Sequence, residues 1–401
     1  MRAIQVQKTG GPEVLTLVDL PAPKPKANEA VVKIAASGVN FIDVYFREGR
    51  YPATLPFTDG QEAAGTVTEV GSDVKSVKAG DRVAYSNVVG TYAEYAAVPA
   101  ERLVHVPDKI TDQQAAAAML QGMTAHYLSH TTYQLKKGDT ALIHAAAGGV
   151  GLLLVQMAKN IGAHVIGTAG SEEKAKLARD AGADEVILYA SQDFEAETKR
   201  LTDGKGVHVV YDGVGQTTFE KGLNVLRPRG HMILFGASSG PVQPVDPIKQ
   251  LMAKGSLTLT RPSLIHYVTS REELQQRAGD VFAMIGAGKL KLRISKTYKL
   301  EEVQQAHRDL TLRDIAGRAA VSVRTLNRRF QAETGQTPMQ WVTGVRVRHA
   351  QQLLESTVHG VEKIGRDVGF SSPANFREQF RRLTGVAPQS YRNTFKDRKA
   401  G

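Results

Sequence analysis

Thr140-Ala-Leu-Ile-His-Ala-Ala-Ala-Gly-Gly-Val-Gly151 runs from a short apolar stretch straight into a glycine-rich turn. Thr140–His144 reads as a buried strand and Gly149–Ile161 as the helix that follows it. In that context Gly148 lets the backbone approach a pyrophosphate, Gly151 lets the helix pack on the strand, and the helix N-terminus attracts the anion. The spacing is AxxGxxG, with Ala145 where such loops usually begin with glycine. As a bare motif it is weak, and the alternative is a tight turn without a ligand.

Working outward, the chain keeps the same rhythm. His164–Thr168, Glu185–Leu188, Val207–Tyr211 and His231–Phe235 are apolar runs separated by helix-sized intervals, Glu172–Ala181 among them. Continuous apolar strands divided by helices imply a parallel sheet covered on both faces, an α/β nucleotide domain over about residues 126–261. Residues 1–125 differ. Ala30–Ala36, Gly65–Val70, Asp81–Tyr85 and Tyr92–Val98 are short strands punctuated by Gly and Pro, which implies an antiparallel barrel-like domain. Residues 262–310 are expected to return to it.

The strand end after His164–Thr168 bears on cofactor choice. Enzymes that use NAD place Asp or Glu roughly 20 residues past the loop to hold the ribose hydroxyl. Here Gly170-Ser171-Glu172-Glu173-Lys174 follows, with no acid at the strand terminus. Ser171 and Lys174 offer hydroxyl and ammonium donors suited to a phosphate on that ribose. The two glutamates oppose this unless they point outward from the first helical turn, where the helix dipole favours them. The expected cofactor is NADPH.

Charge separates the last ninety residues from the rest. Thr311–Gly401 holds 16 Lys and Arg, 13 of them arginine, against seven Asp and Glu. Nearly all of the chain's net charge of +11 therefore sits in the tail, which implies a polyanionic partner, most often nucleic acid. At 401 residues and 42% hydrophobic content the chain can bury two or three cores. No apolar run reaches membrane-spanning length and the start does not read as a signal peptide, so the expectation is a cytoplasmic protein without a membrane partner. Zero cysteines excludes disulfides and thiolate-ligated metal.

The tail contains a repeat. Ile315, Ala319, Ala320, Leu326, Phe330, Gly335 and Pro338 recur as Ile364, Val368, Gly369, Phe376, Phe380, Gly385 and Pro388. Each copy reads as a short helix, a turn and a second helix capped by serine, Ser322 in one and Ser371 or Ser372 in the other. Arg324, Arg328 and Arg329, then Arg377, Arg381 and Arg382, line the exposed faces of the second helices. Pro338–Glu355 is expected as one connecting helix, with Trp341, Val342, Val345, Ala350, Leu353 and Leu354 inward. It would span roughly 27 Å at 1.5 Å per residue, near the ~34 Å between successive major grooves.

Residues 1–310 resemble the quinone oxidoreductases, the zinc-free branch of the medium-chain dehydrogenase/reductase superfamily. The matching stretches are Val39–Asp43 with Tyr45, Asp59–Gly65, Ala79–Val83, Ala145–Gly151, Tyr211–Gly215, Phe235-Gly236 and Thr260–Leu264. The resemblance implies a GroES-like β-barrel domain followed by a Rossmann-type domain, without zinc. The missing cysteines agree, since zinc-dependent relatives need Cys for both metals. Glu62 stands where the zinc branch carries a site glutamate, and here is expected to buttress the cleft. By resemblance, Asn40 and Tyr45 face the nicotinamide cleft and are the candidate catalytic residues, as hydrogen-bonding orienters. Thr124 lies near the pyrophosphate, which Gly148, Gly149, Val150 and Gly151 wrap. Gly170, Ser171, Lys174 and Tyr189 surround the adenosine phosphate, and Phe235, Gly236 and Ser238 flank the nicotinamide. A plain alternative for Tyr189 is a sheet cap, and His126, His130 and His144 read as structural. Quinones accept hydride readily, so positioning rather than a dedicated proton donor is the expected source of catalysis.

Residues 311–395 resemble the double helix-turn-helix domain of AraC-type transcriptional regulators, an all-α unit. Leu326–Phe330, Gly335–Pro338, Arg346–Leu354, Val368–Phe370, Phe376–Phe380 and Gly385–Tyr391 carry the match. It implies base contacts from Arg324, Asn327 and Arg328 in the first recognition helix, and from Asn375 and Arg377 in the second. Glu378 sits on the same face, to accept from a cytosine amino group or to repel phosphate.

At the seam neither family keeps its own segment. Gly317–Val321 reads either as a closing strand for the reductase or as helix and turn of the first DNA-binding unit, and Leu300–Leu310 as a helix shared by both. The expected function is NADPH-dependent reduction of a quinone or similar small electrophilic acceptor by a protein with a sequence-specific DNA-binding tail. The alternatives are a transcriptional regulator whose reductase part senses NADPH or quinone, and a natural accident or artificial fusion without joint function. A homodimer paired through the edge Ser256–Thr260 is expected.

Overall fold

The computed structural model describes residues 1–318, 331, 337–357, 359–370 and 372–396. Six parallel strands form one sheet, in the spatial order Glu185–Leu188, His164–Ala169, Thr140–Ile143, Val207–Asp212, Leu226–Leu234 and Thr258–Thr260. Ala141, Leu142, Ile143, Val165, Ile166, Val209 and Val210 are fully buried, as both-face coverage requires. Gly149–Ile161, Glu172–Asp180, Phe194–Leu201 and Phe219–Asn224 are the covering helices. Strand order reverses between Thr140–Ile143 and Val207–Asp212, which opens a crevice at their C-terminal ends.

The first domain pairs a five-stranded antiparallel sheet with a three-stranded one. Tyr95–Pro99, Glu29–Ser37, Glu62–Val70, Arg82–Ser86 and Val104–His105 form the larger sheet in that order. Leu15–Asp19, Arg2–Val6 and Phe57–Thr58 form the smaller. Ala30, Val32, Ala63, Val67, Val83, Tyr85, Val98 and Leu103 fill the core of the larger sheet.

Helix Asp112–Tyr127 joins the two domains. Thr111 caps it, its Oγ accepting from Gln114 N at 3.2 Å. Its small residues let it lie flush between neighbours: a Cβ added to Gly122 would stand 2.9 Å from Val281 of helix Arg271–Gly286. Residues of both domains therefore share one core.

At the seam the helix expected over Leu300–Leu310 runs on to Arg318. A turn of 3-10 helix at Leu300–Glu302 leads into helix Val303–Arg318. Gly317 and Arg318 are helical, so these two do not supply a closing strand. No β-branched residue interrupts the helix from Gln304 through Leu310, and buried Val303, Ala306 and His307 anchor its start.

In the tail, Pro338–Ser356 is the connecting helix, followed by Val361–Asp367, Pro373–Thr384 and Pro388–Lys396. Val347, Ala350, Leu354, Ile364, Val368, Phe370, Phe376 and Phe380 form the tail's core. Trp341, expected inward, is instead 38% exposed. It lies six residues before Val347, about 240° around the helix from the buried Val347–Ala350–Leu354 face. Arg324, Asn327, Arg328 and Arg329, with Ser322 and Ser371, lie outside the described residues.

Candidate functional site

The crevice edge is built from the turns that leave consecutive parallel strands. After Thr140–Ile143, Ala145 takes a left-handed conformation, φ 51°, which usually selects glycine. Gly148 N donates to Ala145 O at 2.8 Å and closes the turn. A Cβ on Gly151 would lie 2.3 Å from Ala145 O, and one on Gly148 3.1 Å from the same atom. Gly151 is therefore compulsory while this turn is kept. Gly148 and Gly149 are exposed at the start of a helix whose first N–H groups have no carbonyl partner within it. That cradle fits a pyrophosphate.

One strand further out, Ser171 caps helix Glu172–Asp180, its Oγ accepting from Lys174 N at 3.3 Å. Tyr189 N donates to Ala169 O at 3.2 Å, so Gly170, Ser171, Lys174 and Tyr189 share two adjoining strand ends. Glu172 and Glu173 are exposed, and a hydrogen bond from Arg179 pulls the Glu172 carboxyl below its ordinary range. Across the reversal, Phe235 N and Gly236 N both donate to Asp212 O, at 2.9 and 3.3 Å, and Ser238 N to Gly213 O at 3.3 Å. A Cβ on Gly236 would come within 2.4 Å of Gly213 O. All of these positions line one edge of the sheet.

Asn40 and Tyr45 come from the barrel domain, on either side of a one-helix step. Asn40 precedes helix Phe41–Arg47, and Asn40 N donates to Asp43 Oδ2 at 2.7 Å. Its side chain, 5% exposed, is held from two directions. Asn40 Nδ2 donates to Glu62 Oε1 at 2.7 Å, and Asn40 Oδ1 accepts from Gln121 Nε2 at 2.9 Å. Leu120 N donates to the other Glu62 oxygen at 2.6 Å. Tyr45 packs edge-on against Tyr51, with Arg50 over its ring at 5.3 Å. Thr124 is buried one turn beyond Gln121 on the same helix.

Behind Asn40 runs a buried polar network. Tyr92 OH donates to Asp43 Oδ2 at 2.8 Å and lies 3.2 Å from His307 Nε2. His307 Nδ1 lies 2.9 Å from Arg47 Nη1, and Arg47 Nε donates to Gly10 O at 3.1 Å. Burial pushes the Glu62 and Asp59 carboxyls up to about 7 and raises Asp43 well above the carboxylate range, with Asp59 adding to the rise. Burial, then Arg47, pushes His307 down to about 3, so it is neutral. Sequence reasoning had Glu62 as a buttress but missed Gln121, Asp43, Tyr92, Arg47 and His307. Their connection crosses up to 260 residues of chain and leaves no local signature.

The tail meets the barrel domain at its N-terminal segment. Ser372, the cap of helix Pro373–Thr384, accepts from Asn375 N at 3.1 Å and donates to Thr9 O at 3.3 Å. Glu378 pairs with Lys8 at 3.5 Å. Half-buried Arg346 lies within electrostatic reach of Glu48, beyond the end of helix Phe41–Arg47. Arg377 donates to Glu362 at 2.7 Å, while Arg381 and Arg382 are exposed.

Residues 26–108 match the family described as alcohol dehydrogenase GroES-like domain, and residues 149–283 that described as zinc-binding dehydrogenase. A quinone oxidoreductase of Pseudomonas aeruginosa is 46% identical over 318 residues, 79% of this chain and 98% of that protein. The chain belongs to the quinone oxidoreductase family. A 2-haloacrylate reductase from Burkholderia is 39% identical over 79% of this chain and 97% of its own length. The Escherichia coli quinone oxidoreductase solved with NADPH is 45% identical, with a TM-score of 0.76, over 78% of this chain and 97% of that one. Residues 315–394 match the helix-turn-helix domain family, so this oxidoreductase carries an AraC-type helical domain.

Because a Gly151 side chain would strike backbone, Gly151→Ala should cost about 1–3 kcal/mol by overpacking. It should also weaken NADPH binding. Thermal melting and titration of NADPH fluorescence check this, and wild-type values in both would contradict the cradle.

Proposed function

We propose that this protein is an NADPH-dependent quinone reductase that binds DNA through its tail. The observation that carries the reductase reading is the second strand end, where Ser171 and Lys174 stand with no acid at the terminus and both nearby glutamates are exposed. Gly148, Gly149, Val150 and Gly151 would hold the pyrophosphate, and Thr124 adjoins it. Gly170, Ser171, Lys174 and Tyr189 would take the ribose phosphate, while Phe235, Gly236 and Ser238 flank the nicotinamide. NADPH, when bound, supplies a hydride to the acceptor. Asn40 and Tyr45 orient that acceptor, and water supplies the proton, so catalysis is chiefly positioning. An activated alkene can replace the quinone at such a site, because it too accepts hydride at an electron-poor carbon.

In the tail, Arg324, Asn327 and Arg328 with Asn375 and Arg377 would read base edges, and Arg329, Arg381 and Arg382 would meet phosphate. Dimers paired through the edge strand Thr258–Thr260 would bring two tails together and raise their effective concentration on paired sites.

A regulatory reading is favoured by one contact. Ser372 and Glu378, on the second recognition helix, rest against Thr9 and Lys8 of the reductase. Helix Phe41–Arg47 begins at Asn40 in the cleft and ends at Glu48, whose charge acts on Arg346 of the tail.

Purified protein mixed with NADPH and a quinone should consume the reduced cofactor, and NADH should serve less well. Lys174→Glu should narrow that preference. Equal use of both coenzymes by the unmutated protein overturns the NADPH assignment, and no turnover with any quinone or activated alkene overturns the reductase reading.

DNA affinity should fall steeply with salt as phosphate contacts release counterions. Arg328→Ala should cost about 1–3 kcal/mol and relax sequence preference, whereas Arg382→Ala should weaken all sequences alike. Selection from a randomised duplex pool followed by salt titration measures both, and failure to select any duplex counts against the tail.

If the reductase contact regulates the tail, NADPH should change DNA affinity and DNA should change NADPH affinity by the same factor. Superimposable DNA titrations with and without saturating NADPH would leave two independent activities on one chain.

A further inference from the structure

Two residues that no comparison singles out decide how Asn40 presents itself to the cleft. Glu62 offers two oxygens. One accepts from Leu120 N, which can only donate, at 2.6 Å, and the other faces the Asn40 side chain at 2.7 Å. An ionised Glu62 can only accept, so the nitrogen of the Asn40 carboxamide must turn toward it. The Asn40 oxygen then faces Gln121, whose nitrogen donates at 2.9 Å. One proton of Asn40 Nδ2 remains beyond the bond to Glu62.

Gln121 also touches the nucleotide loop. A Cβ on Gly149 would stand 2.0 Å from Gln121 Oε1 and 2.9 Å from Gln121 Nε2. Gly149, Gln121, Asn40 and Glu62 thus form one polar line from the glycine-rich turn into the barrel domain. Asn40's backbone is fixed separately, through Asp43 at 2.7 Å.

We propose that Glu62 and Gln121 are positioning residues: together they lock the Asn40 carboxamide into one of its two orientations, and the proton on Glu62 chooses which. When Glu62 is protonated on the oxygen facing Asn40, that oxygen becomes a donor and demands the Asn40 oxygen instead. The carboxamide then turns over and Gln121 must follow. The two states differ in which Asn40 atoms are left for the acceptor, although no covalent bond changes. Burial holds the Glu62 carboxyl near 7, so both states are within reach of ordinary pH. The charged and titratable groups of the surrounding buried network are Asp43, Asp59, Arg47, Tyr92 and neutral His307.

This rests on the reductase reading for its effect on turnover, yet orientation can be read without turnover. In protein labelled at asparagine side-chain nitrogen, the resonance lost in Asn40→Ala should shift with pH around 7 in wild type. In Glu62→Gln it should be pH-independent, because glutamine permanently imitates the protonated acid: its oxygen takes the Leu120 proton and its nitrogen faces Asn40. With NADPH and a quinone, kcat of wild type should fall on the acid side of that midpoint. Glu62→Gln should lower kcat roughly ten- to a hundredfold with a flat profile, while NADPH affinity stays near wild type. Gln121→Ala serves if Glu62→Gln does not fold. It should lower kcat and broaden the Asn40 resonance without removing the titration. A pH-independent Asn40 resonance in wild type, or wild-type kcat in Glu62→Gln, overturns the proposal. Inactive wild type with a titrating Asn40 resonance would instead defeat the reductase reading and leave the positioning intact.

Discussion

A buried guanidinium organises the barrel side of this molecule. Arg47 is 1% exposed, and a cation taken out of water costs several kcal/mol unless donors and charges around it are satisfied. It meets that demand by bonding Gly10 O, His307 Nδ1 and Glu48 Oε1. Those partners belong to the N-terminal segment, to the helix leading into the tail, and to the turn after its own helix. Asp43, Asp59 and Glu62 lie in the same interior, where burial holds each carboxyl above its ordinary range. A low-dielectric pocket with several ionisable groups tolerates few arrangements. Helix Phe41–Arg47, the cleft residue Asn40 ahead of it and helix Val303–Arg318 are therefore placed relative to one another by polar satisfaction as much as by packing.

That constraint also bears on how a second kind of domain is carried. Helix Val303–Arg318 is fixed at its start by His307 and by Val303, which packs with Ile4, Val6 and Leu15. It then continues toward the tail as one element. Further contacts at Thr9 and Lys8 bring the second helical pair against the same domain. The exposed Lys8–Glu378 pair adds little by itself, since both ends are solvated. Burial of Ser372 matters more, because a desolvated polar group is costly to leave without a partner.

Local patterns carried most of the architecture. The apolar runs around Ile143, Ile166 and Val210 announced a parallel sheet, because a strand buried on both faces leaves no room for alternation. The alanine and glycines from Ala145 to Gly151 announced the turn, and the structure adds that Ala145 itself accepts the left-handed backbone. Serine ahead of a helix was also legible: Ser372, rather than the alternative Ser371, accepts from Asn375 N. Trp341 went wrong because apolar character says a residue prefers burial, whereas the phase of the helix against its neighbours decides which face receives it.

Sequence alone settled what depends on near neighbours in the chain: strand and helix type, the glycine-rich turn, the absence of any cysteine, and the concentration of arginine in the tail. Tertiary structure alone decided what depends on distant groups sharing one small volume. Gln121 reaching Asn40, His307 meeting Arg47, and Ser372 resting on Thr9 join positions 81, 260 and 363 residues apart. Hydrogen bonds and buried charge are short-range in space but indifferent to distance along the chain. No periodicity or motif records them, and the folded backbone has to bring the partners within about 3 Å before they exist.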